Sequence, residues 1–392
     1  MHINAILDIG VILLAASFGA AIIKFTNLPR ITSYIIIGII IGPSLADLVS
    51  PNLMDTSDLF TNIALSFIAF DLGRKFSLDR IRDIGKNVMV IAVLQVTATL
   101  LLVSFTIYLL MAKPFHIAVI YGAIACATAP AATILVAKEL KAEGKFTDTL
   151  LGVVALDDGL GILVFALVFA AAGNIAGANT GANPIISGLE HSLVEIFGAA
   201  LLGIFLGWIL CHLPKVIEKS ENLMIYTLGI ILFNTGLCIH FELSVLLGSM
   251  ALGITVENLS DADVKFFHAV EKIESPFYVL FFVLAGAHLK IDMVTGMSFI
   301  GVIYILSRTA GKAGGAYIGS LLAKAGGIIK KWMGLSLLPQ AGVALGFALI
   351  VKSAFPDRGQ EIFFVITAST VFFEIVGPIF TKISLNAAGE TG

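Results

Sequence analysis

Apolar segments long enough to cross a bilayer as helices follow one another along almost the whole 392-residue chain, and no other feature constrains its fold as much. Hydrophobic residues make up 58% and charged residues only 13%, against about a quarter charged in a soluble domain. Mean hydropathy is +0.99, so the chain reads as an all-α polytopic membrane protein. Apolar length and polar punctuation predict thirteen spans, near 5–25, 31–49, 58–73, 85–112, 117–138, 148–173, 188–213, 222–239, 242–257, 275–290, 295–323, 332–354 and 360–384. The N-terminus lacks a basic region ahead of its first apolar run, and that run is full length, so it is read as a span and not a cleavable signal.

Lys and Arg collect in cytoplasmic loops, which tests the count. Eighteen follow odd-numbered spans and four follow even-numbered ones, and a wrong count would mix the two sets. The expected arrangement has the N-terminus outside and the C-terminus in the cytoplasm. The net charge of -3 gives no footprint for a nucleic-acid partner. Cys126, Cys211 and Cys238 show no CxxC spacing and read as small packing residues, and the seven histidines show no metal-binding spacing. No cofactor is expected.

The two halves resemble each other weakly. FDLGRKFSLD at the end of span 3 resembles LAGAHLKID at the end of span 10, SYIIIGIIIG in span 2 resembles SVLLGSMALG in span 9, and spans 5 and 12 both break around a proline. Each pair is seven spans apart, an odd number, so the second copy enters the membrane upside down. The expected organisation of the single domain 1–392 is a first repeat over 1–173, a connector over 174–221 and a second repeat over 222–392. Inverted repeats of this kind mark transporters.

Pro130 cannot donate a backbone hydrogen bond and leaves a carbonyl near Cys126 unpaired, with the hydroxyls of Thr128 and Thr133 beside it. Pro339 with Gln340 and Gly342 does the same in span 12. Unpaired backbone is tolerated at that depth only inside protein or along a polar cavity. A lone proline would read as a kink, whereas matching breaks in both repeats point to a site.

Span 6 carries two adjacent acids, Asp157 and Asp158, in VVALDDGLGILVF. Successive helix residues point about 100° apart, so one carboxylate can face a cation while the other faces a cavity. Lys312 in span 11 is the natural cation. A purely structural pair would not need the second acid, and intramembrane ionisable groups are functional candidates. Arg308, one turn before Lys312, and Glu374 in span 13 are expected to form a structural ion pair. Asp71 is expected to pair with Arg74 or Lys75, and Gly38 with Gly42 forms a GxxxG contact within the fold or between protomers.

LPRITSYIIIGIIIGP, ATAPAAT, ALDDG, GKAGG and MGLSLLPQAGVALGFAL, in that order, resemble the cation:proton antiporter 2 family, particularly Na+/H+ antiporters of the NhaA and NapA type. The resemblance spans nearly the whole chain. It implies the NhaA-like fold with crossed broken helices, a homodimer in a prokaryotic plasma membrane with lipid around it, an elevator-like movement and a role in pH homeostasis. By the same resemblance Asp158 is the ligand of Na+, Asp157 the partner of Lys312, and Thr128 the threonine near the ion. Ala129 stands where relatives with another exchange mode carry an acid. Potassium-efflux relatives often have glutamine in place of the first aspartate, whereas this chain has Asp157.

The expected activity is exchange of Na+, or Li+, for H+. The site formed by Asp157, Asp158 and Lys312 carries net charge -1 when all are ionised, so one Na+ or protons can neutralise it. Release of Asp157 by Lys312 would let two protons exchange per Na+, making transport electrogenic. The alternatives are K+/H+ exchange and Na+-coupled solute symport on the same fold. An intramembrane aspartyl protease needs acids converging from separate helices, and adjacent residues diverge, so an enzyme is not expected.

Overall fold

The computed structural model describes residues 5–23, 28–74, 76, 78–175, 184–212, 220–260, 263–289, 299–355 and 358–391. Lys24, Lys75, Lys215, Lys219 and Lys290 of the charge comparison, and parts of the 174–221 connector, lie outside these residues.

The described elements are helices: α1 (Ala5–Ile23), α2 (Arg30–Ile41), α3 (Pro51–Asp55), α4 (Ser57–Gly73), α5 (Leu78–Met111), α6 (Phe115–Cys126), α7 (Pro130–Glu139), α8 (Lys145–Ile175) and α9 (Pro184–His212). They continue with α10 (Ser220–His240), α11 (Val245–Leu259), α12 (Asp263–Glu271), α13 (Glu274–His288), α14 (Phe299–Leu322), α15 (Gly327–Ser336), α16 (Gly342–Ala354) and α17 (Gly359–Ala388). A helix, or a pair interrupted in the middle, occupies each predicted segment. Long apolar spans suited to a membrane fall on α1, α5, α6 with α7, α8, α9, α10 and α17, and shorter apolar helices on α2, α11 and α16. The predicted span 31–49 is a helix only to Ile41, because Gly42 and Pro43 end it and the chain turns there.

The helices pack as two groups, each drawing on both halves of the chain. In one, α2 lies against α13, α4 against α11, and α11 against α9. In the other, α5 and α14 form the closest pair, with α6, α7, α8 and α15 to α17 around them. Gly38 and Gly42 belong to a contact within the chain, since a side chain at Gly42 would reach 2.7 Å from Ala287 Cα on α13.

A longer glycine series decides where α5 sits. Gly311, Gly315 and Gly319 fall every fourth residue along one face of α14, and Cβ atoms there would lie 2.7, 2.6 and 2.8 Å from the Cα atoms of Thr99, Gln95 and Ile91. The α5 backbone rests directly on that stripe, the small-residue packing that lipid favours. Gly315→Val must push the helices apart, at about 1–3 kcal/mol or more. The expected result is a melting temperature several degrees lower in detergent; an unchanged melting curve would rule out this packing.

The helix carrying the acid pair is fixed at its start. Glu390, just past α17, accepts hydrogen bonds from the backbone N–H groups of Phe146 and Thr147 at 2.8 and 2.7 Å. A carboxylate at the first turn satisfies orphan donors and complements the positive end of α8.

Candidate ion-binding site

Two breaks meet at the centre of the second group. α6 stops at Cys126 and α7 starts at Pro130; α15 stops at Ser336 and α16 starts at Gly342. The segments between the helix ends touch: Ala129 N–H donates to the Pro339 carbonyl at 2.9 Å. Each break leaves carbonyls at a helix C-terminus without partners in their own helix, with partial negative charge concentrated there.

Two cations from α14 answer both ends. Arg308 donates from Nε to the Ala125 carbonyl at 3.0 Å, from one terminal nitrogen to the Ala127 carbonyl at 2.8 Å, and from the other to the Leu338 carbonyl at 2.7 Å. Lys312 donates to the Cys126 carbonyl at 2.7 Å. Gln340 reaches the Ile124 carbonyl at 3.2 Å and Tyr304 Oη at 3.0 Å, and Thr133 Oγ1 donates to the Ser336 carbonyl at 3.4 Å. Thr133, Pro339 and Gln340 thus each bond across from one break to the other, and Pro130 follows Ala129 directly.

The expected ion pair of Arg308 with Glu374 is not formed. Arg308 is fully buried, its fork is taken up by the three carbonyls, and its guanidinium lies 4.3 Å from the ring centroid of Phe373. Glu374, the next residue on α17, points elsewhere, and its buried Oε2 has no hydrogen-bond partner among the described residues. Broken backbone is the stronger partner because a guanidinium can bridge two helix ends at once, which a carboxylate on one helix cannot replace.

The adjacent aspartates have opposite surroundings. Asp157 is fully buried and accepts from three side chains: Lys312 Nζ at 2.9 Å and Thr128 Oγ1 on Oδ2, and Gln95 Nε2 on Oδ1. Lys312 spends its remaining ammonium protons on Thr128 Oγ1, at 2.8 Å, and the Cys126 carbonyl. Asp158 is also buried, at 6% exposure, yet no described residue donates a hydrogen bond to it. The charges acting on it are those of Glu195 on α9 and of Asp157. Gly159 beside it leaves Ile196 of α9 in ordinary contact distance, so this side of α8 faces the other helix group.

Gln95 and Glu195 were not among the residues picked out from the sequence. An amide in the middle of span 4 was the available signal for Gln95; Glu195 lies within span 7 with nothing nearby in sequence to connect it to Asp158.

Where α4, α7 and α12 meet, a cavity of about 380 Å³ is lined by Asp71, Arg74, Lys138, Lys141, Glu143 and Glu271, together with Leu151 of α8. Leu151 lies two turns before Asp158 on the same helix face. Asp71 pairs here with Lys138 at 3.2 Å and not with Arg74, which meets Glu271 at 3.5 Å. The last turn of α4 faces α7 across the group boundary, which places Lys138 closer to Asp71 than Arg74 is.

The family model described as "Sodium/hydrogen exchanger, transmembrane" matches residues 12–387. Among curated proteins, the ammonium/H+ antiporter subunit AmhT of Alkalihalophilus pseudofirmus is 25% identical over 81% of this chain and 80% of its own length. Na+/H+ antiporter 1 of Methanocaldococcus jannaschii is 22% identical over 76% and 71%. An electron-microscopy structure of the sodium proton antiporter MjNhaP1 from Methanocaldococcus jannaschii superposes with a TM-score of 0.74 at 22% identity, covering 98% of this chain and 95% of that one. A second structure of the same antiporter, at pH 8, gives 0.69 at 19% identity, over 98% and 96%.

Proposed function

Because the chain belongs to the sodium/hydrogen exchanger family, we propose that it exchanges Na+ for H+ by competition of the two ions for Asp158. It is a secondary active transporter and not an enzyme, and its two cargoes need no covalent chemistry. The observation that carries the reading is the asymmetry of the acid pair: Asp157 is saturated by Gln95, Thr128 and Lys312, whereas Asp158 accepts no bond from any described residue. A carboxylate held without donors in a buried site needs either a proton or a metal cation. Thr128, hydrogen-bonded to Asp157, would supply a further oxygen to the ion.

Thirteen crossings with the N-terminus outside and the C-terminus in the cytoplasm agree with the split of basic residues. Inverted repeats over 1–173 and 222–392, joined by 174–221, agree with the packing: α2 lies on α13 while their counterparts α11 and α4 lie on each other. On this reading the cavity at Lys138 is the cytoplasmic approach to Asp158, and the crossing helices move as a body past α2, α4 and α9 to reach the other side. The protein works as a homodimer in a prokaryotic plasma membrane, where exposed apolar side chains such as Phe197, Leu201 and Phe205 of α9 suit lipid or a second protomer. Two protons per Na+ make exchange electrogenic, each net charge coupling to about 2.3 kcal/mol per 100 mV.

One relative is named for ammonium, so the cation is tested directly. Proteoliposomes under an imposed pH gradient, given Na+, Li+, K+ or NH4+ separately, should collapse the gradient with Na+ and Li+. Adding Na+ to detergent-purified protein at weakly alkaline pH should release protons and raise thermal stability by mass action. Acidification should weaken the apparent Na+ affinity. Na+ affinity that stays constant with pH, with no proton released, excludes competition; a response to K+ or NH4+ alone reassigns the cargo.

A further inference from the structure

Glu374 on α17 is a buried acid that the exchange site does not use. It is 9% exposed, its Oε2 has no hydrogen-bond partner, and no cation is paired with it among the described residues. The exposed Phe372 stands about 200° around the helix from it, so Glu374 lies on the face turned into the protein. An ionised carboxylate held in this way needs a counter-charge.

Two further oxygens at the same place lack partners. Along α17, Thr367, Ser369, Thr381 and Ser384 each donate to the carbonyl four residues back, at 2.7, 2.7, 3.1 and 2.7 Å. Thr370 departs from this pattern: its Oγ1 is buried and has no partner among the described residues. It precedes Glu374 by four residues, the spacing at which helical side chains are neighbours. Pro378 frees the other oxygen. A proline inside a helix has no N–H for the carbonyl four residues back, which here is that of Glu374 itself. The missing bond would run along the Glu374 face, because Pro378 lies about 40° around the axis from it. Gly377 seats this turn against the second break, since a Cβ there would lie 2.7 Å from Pro339 Cα.

A carboxylate, a hydroxyl and a carbonyl make an all-oxygen donor set, the kind that hard cations take. The single negative charge selects a monovalent ion, because a divalent one would leave a net positive charge buried. A proton would occupy one carboxyl oxygen, whereas a metal ion meets all three groups at once. Arg308 does not fill the role, because its fork is taken up by the Ala125, Ala127 and Leu338 carbonyls. We infer that Glu374, Thr370 and the turn opened by Pro378 form a second binding site for a monovalent cation of the Na+ class, on a different helix from the aspartate pair. An ion there ties the interrupted turn to its own side chains and stiffens the helix that rests on the second break.

Binding of radioactive Na+ to detergent-purified protein in choline buffer counts the sites. Wild type should bind two Na+ per chain, Asp158→Asn one, and Asp158→Asn combined with Glu374→Gln none. Na+ should raise the melting temperature of Asp158→Asn and leave that of the double variant unchanged. Thr370→Val, which keeps the shape of the side chain, should weaken the site left in Asp158→Asn by about tenfold, the scale of one polar contact to a charge. Its melting temperature in choline should stay at the parent value, because the hydroxyl removed has no partner among the described residues; a packing role would leave Na+ affinity untouched. One Na+ per wild-type chain with none in Asp158→Asn, or binding in Asp158→Asn that survives both Glu374→Gln and Thr370→Val, would overturn the second site and leave the exchange reading standing.

Discussion

Asp158→Asn is expected to abolish exchange and to leave a folded protein. The substitution keeps the shape of the side chain and removes its charge. A cation in contact with a carboxylate at a partly shielded site gains on the order of 4 kcal/mol, and losing that is about a thousandfold in affinity. Transport should drop to the background of empty vesicles at any workable Na+ concentration. Stability should be kept or improved, because no described residue donates to Asp158, and its charge stands against those of Asp157 and Glu195. The same change at Asp157 is predicted to behave differently, since it would disturb Gln95, Thr128 and Lys312 together. Transport assays paired with melting curves separate the two. Normal Na+-driven proton movement in Asp158→Asn would remove the central assignment.

Lys312→Gln is expected to cost both stability and voltage dependence. The ammonium is fully buried and its three protons go to the Cys126 carbonyl, Thr128 Oγ1 and Asp157 Oδ2 at 2.7, 2.8 and 2.9 Å. Removing one partner of a buried pair leaves an uncompensated charge, at about 3–5 kcal/mol, and it also strips a helix C-terminus of the cation that faces it. The melting temperature should fall by several degrees. Without the lysine, Asp157 loses its charge partner, and exchange is expected to become electroneutral or to stop. Current recordings on supported membranes at several imposed potentials read the second effect. Wild-type stability together with voltage-sensitive transport would show that the pair is not part of the cycle.

The amino-acid sequence by itself determined the class of fold, the positions of the apolar helices, the two proline breaks and the presence of Asp157, Asp158 and Lys312 within apolar spans. These are local quantities. Bilayer-length apolar runs, a proline within one, or an acid surrounded by valine and leucine carry their cost wherever the segment packs, so they are legible without knowing its neighbours. The end of α2 at Ile41 was also local, written in Gly42 and Pro43, but apolar length outweighed it in the reading. Tertiary structure alone decided which groups meet. Arg308 takes the carbonyls of Ala125 and Ala127, 183 and 181 residues away, in preference to Glu374. Gln95 reaches Asp157 across 62 residues, and Asp71 finds Lys138 and not Arg74. For Gln95 and Arg308 the partner is set by how closely two backbones approach, at the glycine face of α14 and at the meeting of the two breaks, and for Asp71 by α4 facing α7. That distance is a property of packed helices and not of either segment alone.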